Sequence, residues 1–333
     1  MKEDKITIRT TNPDGTSAEI SALCTSISWS GDSRSISRKL AFSPVVSEVD
    51  KGLPRAPTEL GGSVQFRMGD NLLIDAYMLE RNRDSLGHSI DAVAYDRGIY
   101  LKRNSKYMRV DGQTPEAVTA SLCGEFGIQT GSLASTGVPI TQNFLGVNLY
   151  KIIMTLYSLA ADSTGRKYAI RFRGAALEVV EMAQSPETVL LRPGSNLLNC
   201  ITRESVSQMI NSVAIYDDNF QKLSAEEDSE AIKLYGLMQA AIKASSYEDP
   251  AAHAKKLLKE NGLQTTISLN ALGNSKLITG NTVAIQEPVT DTYGLFWITA
   301  DTHTWKKGIY QTKISVSLEA LMDRQTAGSL PSE

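Results

Sequence analysis

The feature that most constrains this chain is a pattern that occurs twice. Gly61-Gly62-Ser63-Val64-Gln65-Phe66 near the start is answered by Gly280-Asn281-Thr282-Val283-Ala284-Ile285 near the end. An aromatic strand start follows each copy, Tyr77-Met78-Leu79 in the first and Trp297-Ile298-Thr299 in the second. A third block alternates with period 2: residues 89–96 (SIDAVAYD) against residues 312–319 (TKISVSLE). The spacing between copies drifts from 219 (Gly61 to Gly280) to 223 (Ser89 to Thr312), as small turn insertions would produce. Glycine, a polar residue and valine in a row form a generic turn-and-strand pattern; the weight rests on three blocks recurring in order. The reading is two related β-modules at opposite ends of one chain. Three such chains would present six similar modules in a ring.

Length allows more than that pair. At 333 residues the chain exceeds one ordinary core, and two or three domains are expected. The balance of 34 basic and 37 acidic residues gives a net charge of −3, so no strong basic field exists to hold nucleic acid. Cys24, Cys123 and Cys200 are odd in number, far apart and without a Cys-x-x-Cys pair. That argues against a disulfide framework or a structural zinc site. Cys123 falls in a helical pattern between Leu122 and Phe126 and reads as a small core residue. Met1-Lys2-Glu3-Asp4-Lys5 carries no apolar stretch of a signal peptide, and no apolar run approaches the length of a membrane span. The expected site of synthesis is a reducing cytoplasm.

Strand signals dominate residues 5–103. Ile6 to Thr10 alternates before the turn Asn12-Pro13-Asp14-Gly15, and Ile27–Asp32 and Ser37–Ser43 follow as strands. Pro54 and Pro57 mark a loop. Short strands at regular spacing suggest a small barrel or sandwich. Thr114-Pro115-Glu116 then opens a helix, with Val118, Leu122 and Phe126 on one face and Gly127 as the stop. A second, strongly apolar helix spans 149–160, with Tyr150 and Tyr157 sharing a face, and a hairpin turns at Gly174. After a strand over 209–216 and the turn Asp217-Asp218-Asn219, Ser224-Ala225-Glu226-Glu227 has the form of a capping box opening a helix through Tyr235 and Gln239. Asp249-Pro250 opens another helix, closed by Gly262. Strands return over 265–319, and residues 327–333 read as a frayed tail.

Catalytic patterns are scarce. No His-Glu-x-x-His, Gly-x-Ser-x-Gly, Walker A or Gly-x-Gly-x-x-Gly occurs. Of the three imidazoles, His88 precedes a strand, His253 sits on a charged helix, and His303 alternates with Trp305. A site built from His303 and Asp301 is conceivable, but a surface strand position is the plainer reading. Asp96-Arg97 reads as an ion pair or turn, Asp217-Asp218 as a turn, and Glu226-Glu227-Asp228 as an acidic helix start. Arg34, Arg38 and Lys39 form a small basic cluster, either a docking patch or a solvated strand face. No catalytic residue, metal ligand or cofactor is expected.

Six segments in order carry a family resemblance: residues 27–42, the 61–66 strand, Ala94-Tyr95-Asp96-Arg97 with Tyr100-Leu101, the 149–156 helix, Lys233-Leu234-Tyr235-Gly236-Leu237, and 277–283. Together, over roughly residues 25–320, the chain resembles PBSX-type phage tail proteins, relatives of the late control D and baseplate hub proteins. The resemblance implies a homotrimeric baseplate hub of a contractile tail, joining a hexameric tail tube protein to a trimeric central spike protein. It offers no catalytic residues, and the middle region is short, with no obvious lysozyme-like or peptidase insertion. The expected fold is α+β and multidomain: a first β-barrel (tube-like) module over 1–105, an α+β middle domain over 106–195, a second barrel module over 196–326 with a helical insertion at 224–263, and a tail. The modules of neighbouring subunits are expected to meet through Gly62, Val64, Phe66, Tyr77, Asn281, Val283, Ile285 and Trp297. Other baseplate proteins are expected partners; a membrane or a specific nucleic acid is not. The expected place is the virion tail baseplate, assembled in the bacterial host cytoplasm. The rival readings are a carbohydrate-binding tail protein using Trp29, Trp297 or Trp305, and a cell-wall hydrolase using Asp96, Asp217 or Glu227.

Overall fold

The computed structural model describes residues 5–47, 49–50, 52–85, 87–183, 185, 188–246 and 249–330. The chain is mostly β, 50% strand against 18% helix, which moves the expected α+β balance towards β. It forms two compact units, one of residues 5–200 with 268–330 and one of 201–267.

The first strands are β1 (Ile6–Thr11), β2 (Ser17–Glu19), β3 (Cys24–Asp32), β4 (Ser35–Pro44), β5 (Ser63–Met68), β6 (Asn71–Arg83) and β7 (Ile90–Asp96). Strict alternation decides their inner face: Val64, Phe66, Ile74, Ala76, Met78, Ala92 and Ala94 are buried while their neighbours are not. Next come α1 (Gly98–Arg103), β8 (Ser105–Gln113), α2 (Pro115–Glu125), β9 (Thr130–Leu133), β10 (Ile140–Asn148), α3 (Leu149–Thr164), β11 (Tyr168–Arg173), β12 (Ala176–Glu181) and β13 (Val189–Leu191). Helix α3 is the centre of this stretch. The Asn148 side chain caps it by accepting from Lys151 N at 2.8 Å, and Gly165, at φ 71°, ends it. Leu149, Ile152, Ile153 and Leu156 are fully buried, each contributing about 1.5–3 kcal/mol by burial. Gly127 (φ 65°) and Gly174 (φ 60°) make the two predicted turns.

The remaining elements are β14 (Leu197–Ser205), β15 (Ser212–Tyr216), β16 (Lys222–Glu227), α4 (Ser229–Tyr235), β17 (Gln239–Lys243), α5 (Pro250–Glu260), β18 (Gln264–Leu272), β19 (Thr282–Glu287), β20 (Thr292–Lys306) and β21 (Ile309–Ser317). Within residues 201–267 the expected insertion holds helices α4 and α5, the latter opened by Asp249-Pro250 as expected, together with a three-stranded sheet, β16-β15-β17, against whose Val213 and Ile215 α5 packs through Ala254. The presumed capping box is strand: Ser224 lies opposite Ile215, and Glu227 accepts from the Ser212 hydroxyl at 3.2 Å. Tertiary pairing overrode the local signal, and the helix starts later with Asp228 as its cap. It ends at Gly236, so Gln239 lies on a strand pairing parallel to β15.

A thirteen-stranded sheet runs through the larger unit in the order β14-β18-β21-β20-β3-β4-β7-β6-β5-β1-β2, with β19 pairing β20 and β13 pairing β19. Among the described residues none of the sheets is closed, so the expected barrels are not seen in the single chain. The presumed frayed tail is tied down as far as the described residues go. Asn143 and Ser329 exchange two backbone hydrogen bonds, and Gln142 donates to Ala327 O at 3.0 Å.

Candidate functional site: the joint between the two repeated modules

The repeat is present in the backbone. In the first copy Ser63 lies opposite Tyr77; in the second Thr282 lies opposite Trp297. Gly61 N donates to Met78 O and Met78 N to Gly62 O; Gly280 N donates to Ile298 O and Ile298 N to Asn281 O. Both leading glycines have positive φ, 82° and 90°. A bulge falls at the same place in each long strand, between Met78 and Glu80 and between Ile298 and Ala300. The third strands agree too, but one residue away from the sequence alignment. Met78 faces Ala94 where Ile298 faces Val316, so Ala94 corresponds to Val316 and the spacing there is 222, not 223. The corrected register sets Ile314 and Val316 beside Ala92 and Ala94 as buried residues; a one-residue slip exchanges the faces.

Beyond its bulge β20 leaves β19 and pairs with β3, from Ala300 opposite Asp32 to Lys306 opposite Ser26. This joint makes one sheet of two modules, and a buried polar cluster lies on it. Arg38, on β4, donates through Nη1 to Asp301 Oδ1 at 3.0 Å and through Nη2 to Oδ2. Thr279 donates its N and Oγ1 to Oδ1 at 2.7 and 2.6 Å. His303 is fully buried, with Nδ1 2.9 Å from the Tyr310 hydroxyl and 3.2 Å from Thr312 Oγ1. Its Nε2 lies 3.3 Å from Asp301 Oδ2 without hydrogen-bond geometry. The Arg38 guanidinium stacks 4.0 Å above Trp29, whose ring is 4.9 Å from His303. Burial alone would push the Asp301 carboxyl up; Arg38, with His303 adding to it, outweighs burial and holds it well below the usual carboxylate range.

Asp96 meets the same arginine from the other side. Its Oδ2 accepts from Arg38 N at 3.0 Å and its Oδ1 from Gly98 N at 2.9 Å. Burial nevertheless raises its carboxyl to about 6, outweighing the Arg38 and Gly98 amides, the Ser37 hydroxyl and the Arg38 charge, all of which pull it down. Arg97 turns instead to the Tyr77 hydroxyl (3.1 Å) and Asp75 (3.8 Å), so Asp96-Arg97 is a turn rather than an ion pair.

The predicted interface positions divide. Gly62, Val64, Phe66, Val283 and Ile285 are buried inside their own modules, while Tyr77, Asn281 and Trp297 are half-buried. A Cβ on Gly62 would stand 2.7 Å from Thr11 O. Asn281 donates to Lys276 O at 3.0 Å, and Trp297 lines a cavity of about 350 Å³ with Ile36, Arg38, Tyr150 and Met154. Of the other candidates, His303 is a core residue and not a surface one, whereas His88 is exposed and His253 half-buried. Asp217 accepts from Asn219 N and Gln221 N as a turn, and Asp218 pairs with Lys243 at 2.8 Å. Trp29 is buried; Trp305 is half-buried, stacked on Tyr310 at 4.2 Å and edge-on to Phe66 at 5.1 Å. Cys123 is buried as expected, its thiol pushed up to about 11 by burial. Among the described residues no group of three or more His, Cys, Asp or Glu could hold a metal ion, and no helix is long and apolar enough to cross a membrane.

Sequence reasoning missed the Arg38–Asp301 pair. Arg38 reads as one of three basic residues on a strand, and Asp301 falls on the solvent parity of Phe296 and Ile298. The bulge at Thr299 reverses that parity, and nothing in the sequence marks it.

The duplicated module and the continuous sheet describe a framework. The YQBQ-like family pattern matches residues 27–317. The chain belongs to that family. Phage-like element PBSX protein XkdQ of Bacillus subtilis (strain 168) is 22% identical over 255 residues, covering 74% of this chain and 78% of that protein. The 43 kDa tail protein of prophage MuSo2 from Shewanella oneidensis has a similar fold, with TM-score 0.69, 15% identity, and 94% and 98% of the two chains covered. So does the c3393 protein of E. coli, at TM-score 0.55 and 13% identity over 93% and 76% of the chains. That protein is described as a type VI secretion component structurally similar to the T4 tail proteins gp27 and gp5.

Proposed function

We propose that this chain is a structural protein of a phage tail or phage-derived particle, and within it the central baseplate hub. Three copies form a ring that receives the hexameric tail tube on one side and the trimeric central spike on the other. One observation carries this reading: two modules of one chain share strand order, register, leading glycine and bulge position. A protein with two equivalent modules reaches near-sixfold symmetry with three copies, and closed rotational symmetry needs only one repeated heterologous interface. The names of the similar proteins support it, since they are prophage and PBSX tail proteins and a secretion component likened to gp27 and gp5. The late control D relationship, the virion-tail location and assembly in the host cytoplasm belong to the same proposal.

The rivals have less to stand on. Trp29 is enclosed, Trp305 packs against Tyr310 and Phe66, and Trp297 is half-buried on the cavity wall, so none of the three is a fully exposed platform for a sugar. Asp96 is buried, and Asp217 and Glu227 accept protein donors. The deciding measurement is native mass, alone and with the co-expressed tube and spike proteins. A trimer in either condition is expected. A monomer that persists with both partners present would reject the hub.

A further inference from the structure

We infer that a second copy of this chain supplies the strand missing from β6: the outer edge of its β14 pairs with residues 79–83, repeating between chains the joint that β3 makes with β20 within one. The inference rests on the trimeric reading and names its contact. β20 has two partners in succession along one edge. Residues 292–297 pair with β19, and after the bulge residues 300–306 pair with β3. β6 is built the same way and stops half-way. Residues 71–77 pair with β5; after the matching bulge, Glu80 to Arg83 pair with β7 alone. Among the described residues no strand takes the other edge.

Strand order identifies what fits there. The first module reads β3-β4-β7-β6-β5 and the second β14-β18-β21-β20-β19, so β14 stands where β3 stands. β3 is covered by β20, whereas β14 ends the sheet. The other terminal strands, β2 and β13, have three residues each; β14 has nine, with Leu198 and Ile201 about half exposed. An exposed edge of that length is one that proteins normally cover or blunt. Both edges carry both signs of charge, Glu80, Arg81 and Arg83 on one and Arg203 and Glu204 on the other, so opposite charges can face across the joint. The vacant edge and the unpaired strand lie on different modules. The contact is therefore head-to-tail, and it closes into a ring when the rotation allows.

The test is a cysteine scan on the full chain co-expressed with tube and spike proteins. Asn82→Cys is combined in turn with Asn199→Cys, Ile201→Cys and Arg203→Cys. Each single variant controls for the native thiols, and Ser28→Cys with Thr304→Cys, opposite each other in the internal joint, controls for oxidation. The expected result is a ladder of linked chains that ends at three and needs both cysteines. A trimer by native mass with no link across the scan, while the control pair closes, overturns the edge assignment and leaves the hub reading standing. A ladder running past three overturns the closed ring. A monomer throughout removes the trimer and this contact with it.

Discussion

The two modules are built to one register and finished differently. In both, a glycine at positive φ leads into a short strand, and a long strand returns with its bulge one residue beyond the leading turn. Past the bulge they part. β20 runs alongside β3 and places Asp301 against Arg38 in a buried polar cluster. At the equivalent position β6 has Arg81, half-buried, donating to Thr58 O at 3.1 Å on a strand with one partner. A shared backbone plan thus leaves one joint complete within the chain and its counterpart open. The same site in two copies of one motif serves folding in one case and is available for assembly in the other.

The strongest way to break this contrast is to treat both positions alike. Asp301→Ala removes the acceptor of Arg38 and of Thr279 N and Oγ1 at a buried position. The expected loss is about 3–5 kcal/mol, the range for breaking a buried pair from one side, read from urea unfolding midpoints. Arg81→Ala is expected to cost about 1 kcal/mol in the isolated chain, for one hydrogen bond at a half-exposed position. Equal losses would mean that the two joints are equally structural in the single chain.

A second pair of positions compares the leading turns. Gly62 has Thr11 O 2.7 Å and Glu59 O 3.0 Å from any Cβ, whereas its counterpart Asn281 already carries a side chain. Gly62→Ala should destabilise by about 1–3 kcal/mol through the forced backbone shift. Asn281→Ala should lose only its bond to Lys276 O, about 1 kcal/mol. Thermal midpoints of the two variants check the order.

What could be read from the sequence follows from which forces were local. The Gly61 and Gly280 turns, the Leu149–Thr164 helix and the hairpin at Gly174 announce themselves through glycine, caps and periodicity. The Met78 and Ile298 bulges do not, because a bulge inserts a residue without changing composition. That silence hid two things: the burial of His303 and the Arg38–Asp301 pair. The 224–227 segment failed for another reason. Ser-Ala-Glu-Glu satisfies a helix cap locally, but strand pairing with Ser212 and Ile215 decides the outcome.

Titration sharpens the contrast within the complete joint, because Arg38 lowers both carboxylates but outweighs burial only at Asp301. Asp301 is held low, so it contributes stability above the unfolded value of about 4 and loses it as pH falls through its folded value. Asp96 is raised to about 6, so its contribution is present below about pH 4 and is lost as pH rises through about 6. Asp96→Asn should flatten the fall in stability between about pH 4 and 6, and Asp301→Asn should flatten the acid limb below about pH 4. Unfolding free energies over that range decide both; an unchanged acid limb in Asp301→Asn would mean that the Arg38 pair does not set it.

The smallest effect is the most local. In β20 the residues past the bulge have strands on both sides, so amides over 300–306 should exchange slowly in the free chain. In β6 the amides of residues 79–83 that do not point to β7 face an edge with no strand partner. They should exchange rapidly in the free chain, although β7 holds the same strand in place from the other side. On assembly with tube and spike proteins these amides should slow, alongside the outward amides of β14, while those of 300–306 change little. Slow exchange at residues 79–83 before assembly would mean that the edge is already covered within the chain. Slowing at β14 without slowing at β6 would separate the two edges and direct the neighbour to a different strand.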